Sequence, residues 1–131
     1  MEHLIPKTLV TEDDPVIKRF YEQALKDKCQ SLKVVESSSE AMALLKSEQF
    51  DFLITDLKLS ESSGVDIISC AVENLPDIKI LVASGYVSDE QYQDELNKID
   101  NVKGLMQKPF TLRDLTKKIE SIIACGDNLP S

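Results

Sequence analysis

The chain has 131 residues, 42% of them hydrophobic, which suits one domain with a sizeable core. Fifteen basic residues against 23 acidic ones leave a formal net charge of -8, which argues against direct binding to nucleic acid or to an anionic membrane surface and favours protein partners and cations. Cys29, Cys70 and Cys125 form neither a zinc spacing nor a disulfide framework, Met1 to Pro6 lacks the features of a secretory signal, and no run approaches the roughly 20 apolar residues of a membrane span; these features predict a cytoplasmic protein with structural thiols.

Thr8-Leu9-Val10-Thr11 is a short β-prone run that breaks into Glu12-Asp13-Asp14-Pro15, where Asp14 can cap a helix and Pro15 suits its first turn. Val16, Ile17, Phe20, Tyr21, Ala24 and Leu25 recur at helical spacing and predict a core-facing amphipathic helix. Leu32 to Glu36 reads as a second strand, and one of Ser37, Ser38 and Ser39 caps a second helix carrying Ala41, Leu44 and Leu45. The run from Phe50 to Thr55 predicts a third strand that ends in Asp56.

After Gly64, the residues Val65, Ile68, Ala71, Val72 and Leu75 trace a third helix that Pro76 helps to end. Lys79 to Ala83 is a fourth strand, and Ser88 to Asn97 a polar fourth helix with Tyr92 and Leu96 as its few anchors. Val102 to Gln107 is a fifth strand, and Thr111 can cap a last helix whose Leu112, Leu115, Ile119, Ile122 and Ile123 share a face. Gly126 to Ser131 reads as a polar tail, either an end or the start of a linker. Strands alternating with helices in this way predict an α/β fold with one parallel five-stranded sheet covered on both faces by five helices. Flavodoxin-like order 2-1-3-4-5 places a ligand crevice between the carboxyl ends of the first and third strands.

Just past the strand ends stand Glu12 and Asp13, Asp56, Ser84 and Lys108. Each alone has a plain reading as a helix-terminus acid, a turn residue or a surface lysine. Together they bring carboxylates to one crevice, whose repulsion a hard divalent cation and an ammonium relieve; magnesium fits oxygen donors of this kind. An aspartate in such surroundings can attack phosphorus and form an acyl phosphate. Asp56 is then the phosphoacceptor, Asp13 a metal contact, Glu12 a support through water, Lys108 an ion-pair partner and Ser84 a hydrogen-bond donor to the phosphoryl group.

The ordered set of Glu12-Asp13, Asp56, Gly64, Ser84-Gly85 and Lys108-Pro109-Phe110 resembles the receiver domain of two-component response regulators, the CheY-like family, from Lys7 to Ala124. The resemblance implies one receiver domain over residues 1–125, followed by the tail 126–131. It implies that Asp56 takes a phosphoryl group from a phosphohistidine of a sensor histidine kinase or a histidine phosphotransfer protein, with Mg2+ also held by the backbone carbonyl of Lys58. It further implies a cis-prone Lys108-Pro109 peptide, self-catalysed phosphorylation and dephosphorylation without conventional enzymatic turnover, and a downstream protein or covalently linked output domain as target. By the same analogy, the fourth helix, fifth strand and last helix form the signalling face and offer a homodimer surface.

Two residues depart from the family pattern. Ser60 stands where proline is common, and Leu105 stands where many relatives carry the aromatic ring whose rotation reports phosphorylation. Tyr86 and Lys58 flank the crevice and are candidates for tuning the lifetime of the acyl phosphate. A receiver used purely as an interaction module, without phosphorylation, is the alternative. A magnesium-dependent phosphohydrolase is weaker, because Lys58 stands where a second acid is needed, and the chain has no Walker loop or dinucleotide-binding turn.

Overall fold

The computed structural model describes residues 5–56, 64–84, 96, 98–107 and 110–127, of which 5, 64, 65, 84 and 124–127 are described in backbone only. The strands are β1 (Ile5–Thr11), β2 (Cys29–Val35), β3 (Phe52–Thr55), β4 (Lys79–Ser84) and β5 (Val102–Gln107). The helices among the described residues are α1 (Pro15–Leu25), α2 (Ser38–Ser47), α3 (Gly64–Asn74) and α4 (Leu112–Asp127). All strand pairs are parallel, in the order β2-β1-β3-β4-β5, as expected from the alternation. The helix predicted over Ser88 to Asn97 lies almost wholly outside the described residues; Leu96 is helical and buried, as its reading as an anchor requires.

Side-chain alternation along the strands builds two cores, one on each face of the sheet. Leu9, Leu53, Ile80 and Val82 point into a cluster with Ala41 and Leu45 of α2 and Ile67, Ile68 and Ala71 of α3. Val10, Phe52, Ile54, Leu81 and Ala83 point the other way, against Tyr21, Ala24 and Leu25 of α1 and Leu115, Ile119 and Ile122 of α4. β3 lies in the middle of the sheet, and all four of its residues are buried, which accounts for its unbroken apolar sequence.

The helix starts follow local chemistry. Asp14 Oδ1 accepts from the backbone N–H groups of Val16 (2.8 Å) and Ile17 (3.4 Å), with Pro15 at the first helical position. Of the three candidate serines, Ser37 caps α2, its Oγ accepting from the Glu40 N–H at 3.2 Å. Before α4, Thr111 Oγ1 accepts from the Asp114 N–H (3.1 Å) and Asp114 Oδ2 accepts from the Thr111 N–H (3.3 Å), a reciprocal capping box.

Several sequence-based boundaries and faces are corrected. β1 begins at Ile5 instead of Thr8, and β2 runs from Cys29 to Val35 instead of Leu32 to Glu36, because Ile5 pairs with Cys29 and Lys7 with Ser31. β2 is an edge strand, so the polar Gln30, which is exposed, and Ser31, which is half-buried, can extend it. α4 continues through Gly126 to Asp127, two residues into the segment read as a tail. Val16 is 76% exposed and Leu112 45% exposed, although both fall on apolar helical stripes. Each sits in the first turn of a helix that starts at the strands' carboxyl end, where the sheet no longer lies beneath it.

Gly104 permits the close approach of α4 to β5. A methyl group there would lie 2.8 Å from Lys118 Cε, 3.0 Å from Ile122 Cδ1 and 3.4 Å from Leu81 Cδ1. The β4–β5 register also slips at this point, from Ile80 opposite Val102 to Leu81 opposite Gly104.

Candidate functional site

Register decides where the acids meet. Thr11 is opposite Thr55 at the last paired step of β1 and β3, so Glu12 and Asp56 both leave the sheet one residue later, on strands about 4.8 Å apart. This is the point at which strand order reverses: β1 connects onward to β2 on one side, while β3 and β4 extend the sheet on the other. The Glu12 N–H donates to the Val35 carbonyl at 2.9 Å and so carries the β1–β2 ladder one step further. Glu12 is buried, and its Oε2 accepts from the Asp14 N–H at 3.2 Å. The residue therefore steadies the entry to α1 while holding a carboxylate at the crevice. Asp13 is half-buried, and Asp56 retains 8% of its surface exposed.

Among the described residues, no three His, Cys, Asp or Glu side chains come together as a metal-binding group. The donors that do stand at the crevice are carboxylate oxygens of the kind a magnesium ion takes from a protein, one or two at a time, leaving its other positions to water and phosphate oxygens. Ser84 closes β4 opposite Gln107 of β5, so its backbone lies at the expected strand end. Lys58, Tyr86 and Lys108 lie outside the described residues, as does Ser60. Leu105 is half-buried opposite Val82 and packs against the α2–α3 core, where an aliphatic side chain cannot perform an aromatic ring rotation.

Three features near the crevice were not singled out from sequence. Tyr21 of α1 is 1% exposed, and burial, reinforced by the charges of Glu12 and Asp56, pushes its phenol well above the ordinary value. Its ring belongs to a trio with Phe20 and Phe110: centroids lie 5.9 Å apart for Phe20–Tyr21, 5.9 Å for Phe20–Phe110 and 6.2 Å for Tyr21–Phe110. Phe110 comes two residues after Lys108, so this trio ties the connection after β5 to α1. Beneath the acids, Thr11 Oγ1 donates to Thr55 Oγ1 at 2.6 Å, and Thr55 Oγ1 donates to the Asp56 carbonyl at 3.1 Å. The sequence signal for the trio and the pair was present in the helical spacing of Tyr21 from Asp14 and in a threonine directly before each strand-end acid, but neither signal names a partner.

The family model of the response regulator receiver domain matches residues 8–120. The chain belongs to the response regulator receiver family. This receiver domain is 30% identical over 117 residues to the response regulator receiver protein CpdR of Brucella abortus, covering 89% of this chain and 96% of that protein. It is 28% identical over 119 residues to the chemotaxis protein CheY of Pseudomonas aeruginosa, covering 88% and 94% of the two chains. Among solved structures it is similar to a CheY-like receiver domain protein from Methanospirillum hungatei, with a TM-score of 0.84 at 24% identity over 95% of this receiver domain and 98% of the other. The domain is thus a two-component signalling module with the flavodoxin-like strand order. None of the described helices is long and apolar enough to cross a membrane.

Proposed function

We propose that this receiver domain is a phosphoacceptor switch in a two-component or phosphorelay pathway, with Asp56 as the acceptor. The observation that carries the reading is the β1–β3 register, which ends both strands together and puts Glu12, Asp13 and Asp56 at the reversal point of the sheet. A carboxylate oxygen of Asp56 attacks the phosphorus of a phosphohistidine on a histidine kinase or phosphotransfer protein. The P–O bond forms as the P–N bond breaks, and the imidazole leaves with the electron pair and takes up a proton from water.

The residues that would hold magnesium are Asp13 and Asp56 directly, Glu12 through water and Lys58 through its backbone carbonyl. Bound magnesium would supply Lewis-acid neutralisation of the phosphoryl oxygens. Ser84 and Lys108 would offset the remaining charge by a hydrogen bond and an ion pair. The product is an acyl phosphate that the domain forms and loses by its own chemistry, without turnover of a diffusible substrate. Lys58 and Tyr86 are proposed to set its lifetime. The acidic net charge supports a protein as the downstream target, and the lack of a membrane-spanning helix among the described residues is consistent with a cytoplasmic site of action.

Incubation with acetyl phosphate and Mg2+ should label the wild-type protein and leave Asp56→Asn unlabelled. Equal labelling of the two would falsify the assignment. Labelling of neither would favour the reading of a receiver that acts only as an interaction module, for which the aliphatic Leu105 in place of a rotating ring is the structural argument.

A further inference from the structure

The phosphoacceptor is held from behind as well as approached from the front. On the face of β1 and β3 that carries Leu9 and Leu53, the next side chains in the alternation are Thr11 and Thr55, both 1% exposed. On the opposite face, which carries Val10, Ile54 and Tyr21, the next residues are Glu12 and Asp56. The charges of Glu12 and Asp56 act on Tyr21, in keeping with that side. The hydroxyl chain therefore lies on the reverse side of the backbone that delivers the acids.

β3 ends at Thr55, and the Asp56 carbonyl just beyond the strand accepts a bond from the Thr55 hydroxyl at 3.1 Å. The Thr55 hydroxyl is in turn fixed by the Thr11 hydroxyl at 2.6 Å, across the strand pair that joins the two acids. Valine would fill either position with the same branched shape and suit a strand at least as well. Strand formation alone gives no reason for two buried hydroxyls at this step. Thr8, by contrast, spends its hydroxyl locally on the Pro6 carbonyl at 2.9 Å.

We infer that Thr11 and Thr55 are positioning residues that clamp the backbone of Asp56, and so set where its carboxylate stands relative to Glu12 and Asp13 for metal binding and phosphoryl transfer. This rests on the phosphoacceptor reading of Asp56. The clamp acts through the main chain and touches neither metal nor phosphorus. Its loss lets Asp56 settle away from the productive position, and groups that orient metal ligands commonly carry on the order of tenfold in affinity or activity.

The test uses Thr11→Val/Thr55→Val, which removes both hydroxyls together, so that neither is left facing an apolar partner, and takes from the Asp56 carbonyl the bond under test. Magnesium affinity is measured by calorimetry with the metal alone, and phosphorylation by acetyl phosphate is resolved into half-saturating donor concentration and maximal rate. The double variant should bind Mg2+ about tenfold more weakly and reach a maximal rate lower by a similar factor, with the donor concentration at half-saturation little changed. Thr55→Ser, which keeps the hydroxyl and loses a methyl group, should stay close to wild type in both.

Wild-type affinity and rate in the double variant would overturn the clamp, as would equal impairment in Thr55→Ser, which would assign the effect to packing. If the double variant does not fold, Thr11→Val decides: unchanged magnesium affinity there overturns the inference, and weakened affinity supports it. Failure of the wild type to label would overturn the phosphoacceptor reading itself. The magnesium titration needs no phosphodonor and would still decide the clamp by the same criteria.

Discussion

Phe110 lies edge-on against Phe20, with ring centroids 5.9 Å apart and planes at 63°, which pins the residue two positions after Lys108 to the helix that starts from the acidic pair. Phe110 is half-buried, and edge-to-face aromatic pairs add to the stabilisation that comes from area burial alone. Phe110→Ala should therefore cost about 2 to 3 kcal/mol, measured as a lower urea midpoint at unchanged slope. It should also slow labelling by acetyl phosphate, whereas Phe110→Leu, which keeps most of the burial, should lie between the two. A Phe110→Ala protein that is destabilised but labels at the wild-type rate would separate the ring contact from the placement of Lys108.

Tyr21 predicts an alkaline limit to stability. Its phenol is pushed up by burial first and then by Glu12 and Asp56, so the folded protein holds this proton where the unfolded chain has released it. The contribution from this shift is complete below the ordinary phenol value of about 10 and is lost as pH rises above it towards the folded-state value. Tyr21→Phe should flatten the fall in stability above pH 10, seen by urea denaturation at stepped pH. An unchanged alkaline limb would mean that neither burial nor the acids hold the phenol proton in the folded protein.

Glu48 predicts an acid limit at the opposite end of the sheet. Its carboxylate accepts from Lys33 at 2.6 Å and Lys7 at 2.9 Å, joining β1 and β2 to the end of α2, and Lys7 Nζ also lies 4.9 Å from the centre of the Phe50 ring. The bond from Lys33, followed by that from Lys7, holds the carboxyl below the usual carboxylate range. The stabilisation is present above the unfolded-state value of about 4.3 and is lost as pH falls through the folded-state value. The stability gap between wild type and Glu48→Gln should thus close as pH is lowered and narrow as salt is raised. A gap independent of both would point to packing.

Gly104 tests how α4 is seated. Gly104→Val should cost about 1 to 3 kcal/mol, because Lys118, Ile122 and Leu81 already occupy the space a side chain would need. Gly104→Ala should cost less, since its nearest contact is the flexible end of Lys118, and Lys118→Ala in that background should recover part of the loss. Calorimetric melting of the four proteins checks this; equal melting temperatures would mean that α4 moves away freely.

Much of this architecture was legible because the signals are local. Asp14 and Thr111 cap the helices they were expected to cap, since a cap is read within three residues of itself. The position of the acids at the strand ends was legible for a similar reason: Asp56 closes an apolar run and Glu12 another, and the run and its end are adjacent in the chain. Val16 was misread because an apolar residue at helical spacing reveals which stripe it belongs to, but not whether the sheet extends beneath that turn. β2 was read too short because Gln30 and Ser31 carry no strand pattern of their own and are held by pairing with β1.

The order of elements, the caps at Asp14 and Thr111 and the inventory of acids, hydroxyl and lysine after the strands follow from sequence alone, because periodicity and capping depend on residues a few positions apart; which of three serines caps α2 does not. The tertiary structure settled that Thr11 stands opposite Thr55, that Tyr21 feels the charges of Glu12 and Asp56, and that Phe110 rests on Phe20. Those relationships join residues far apart in the chain. They depend on register, helix docking and the exclusion of water, which arise only when both faces of the sheet are covered.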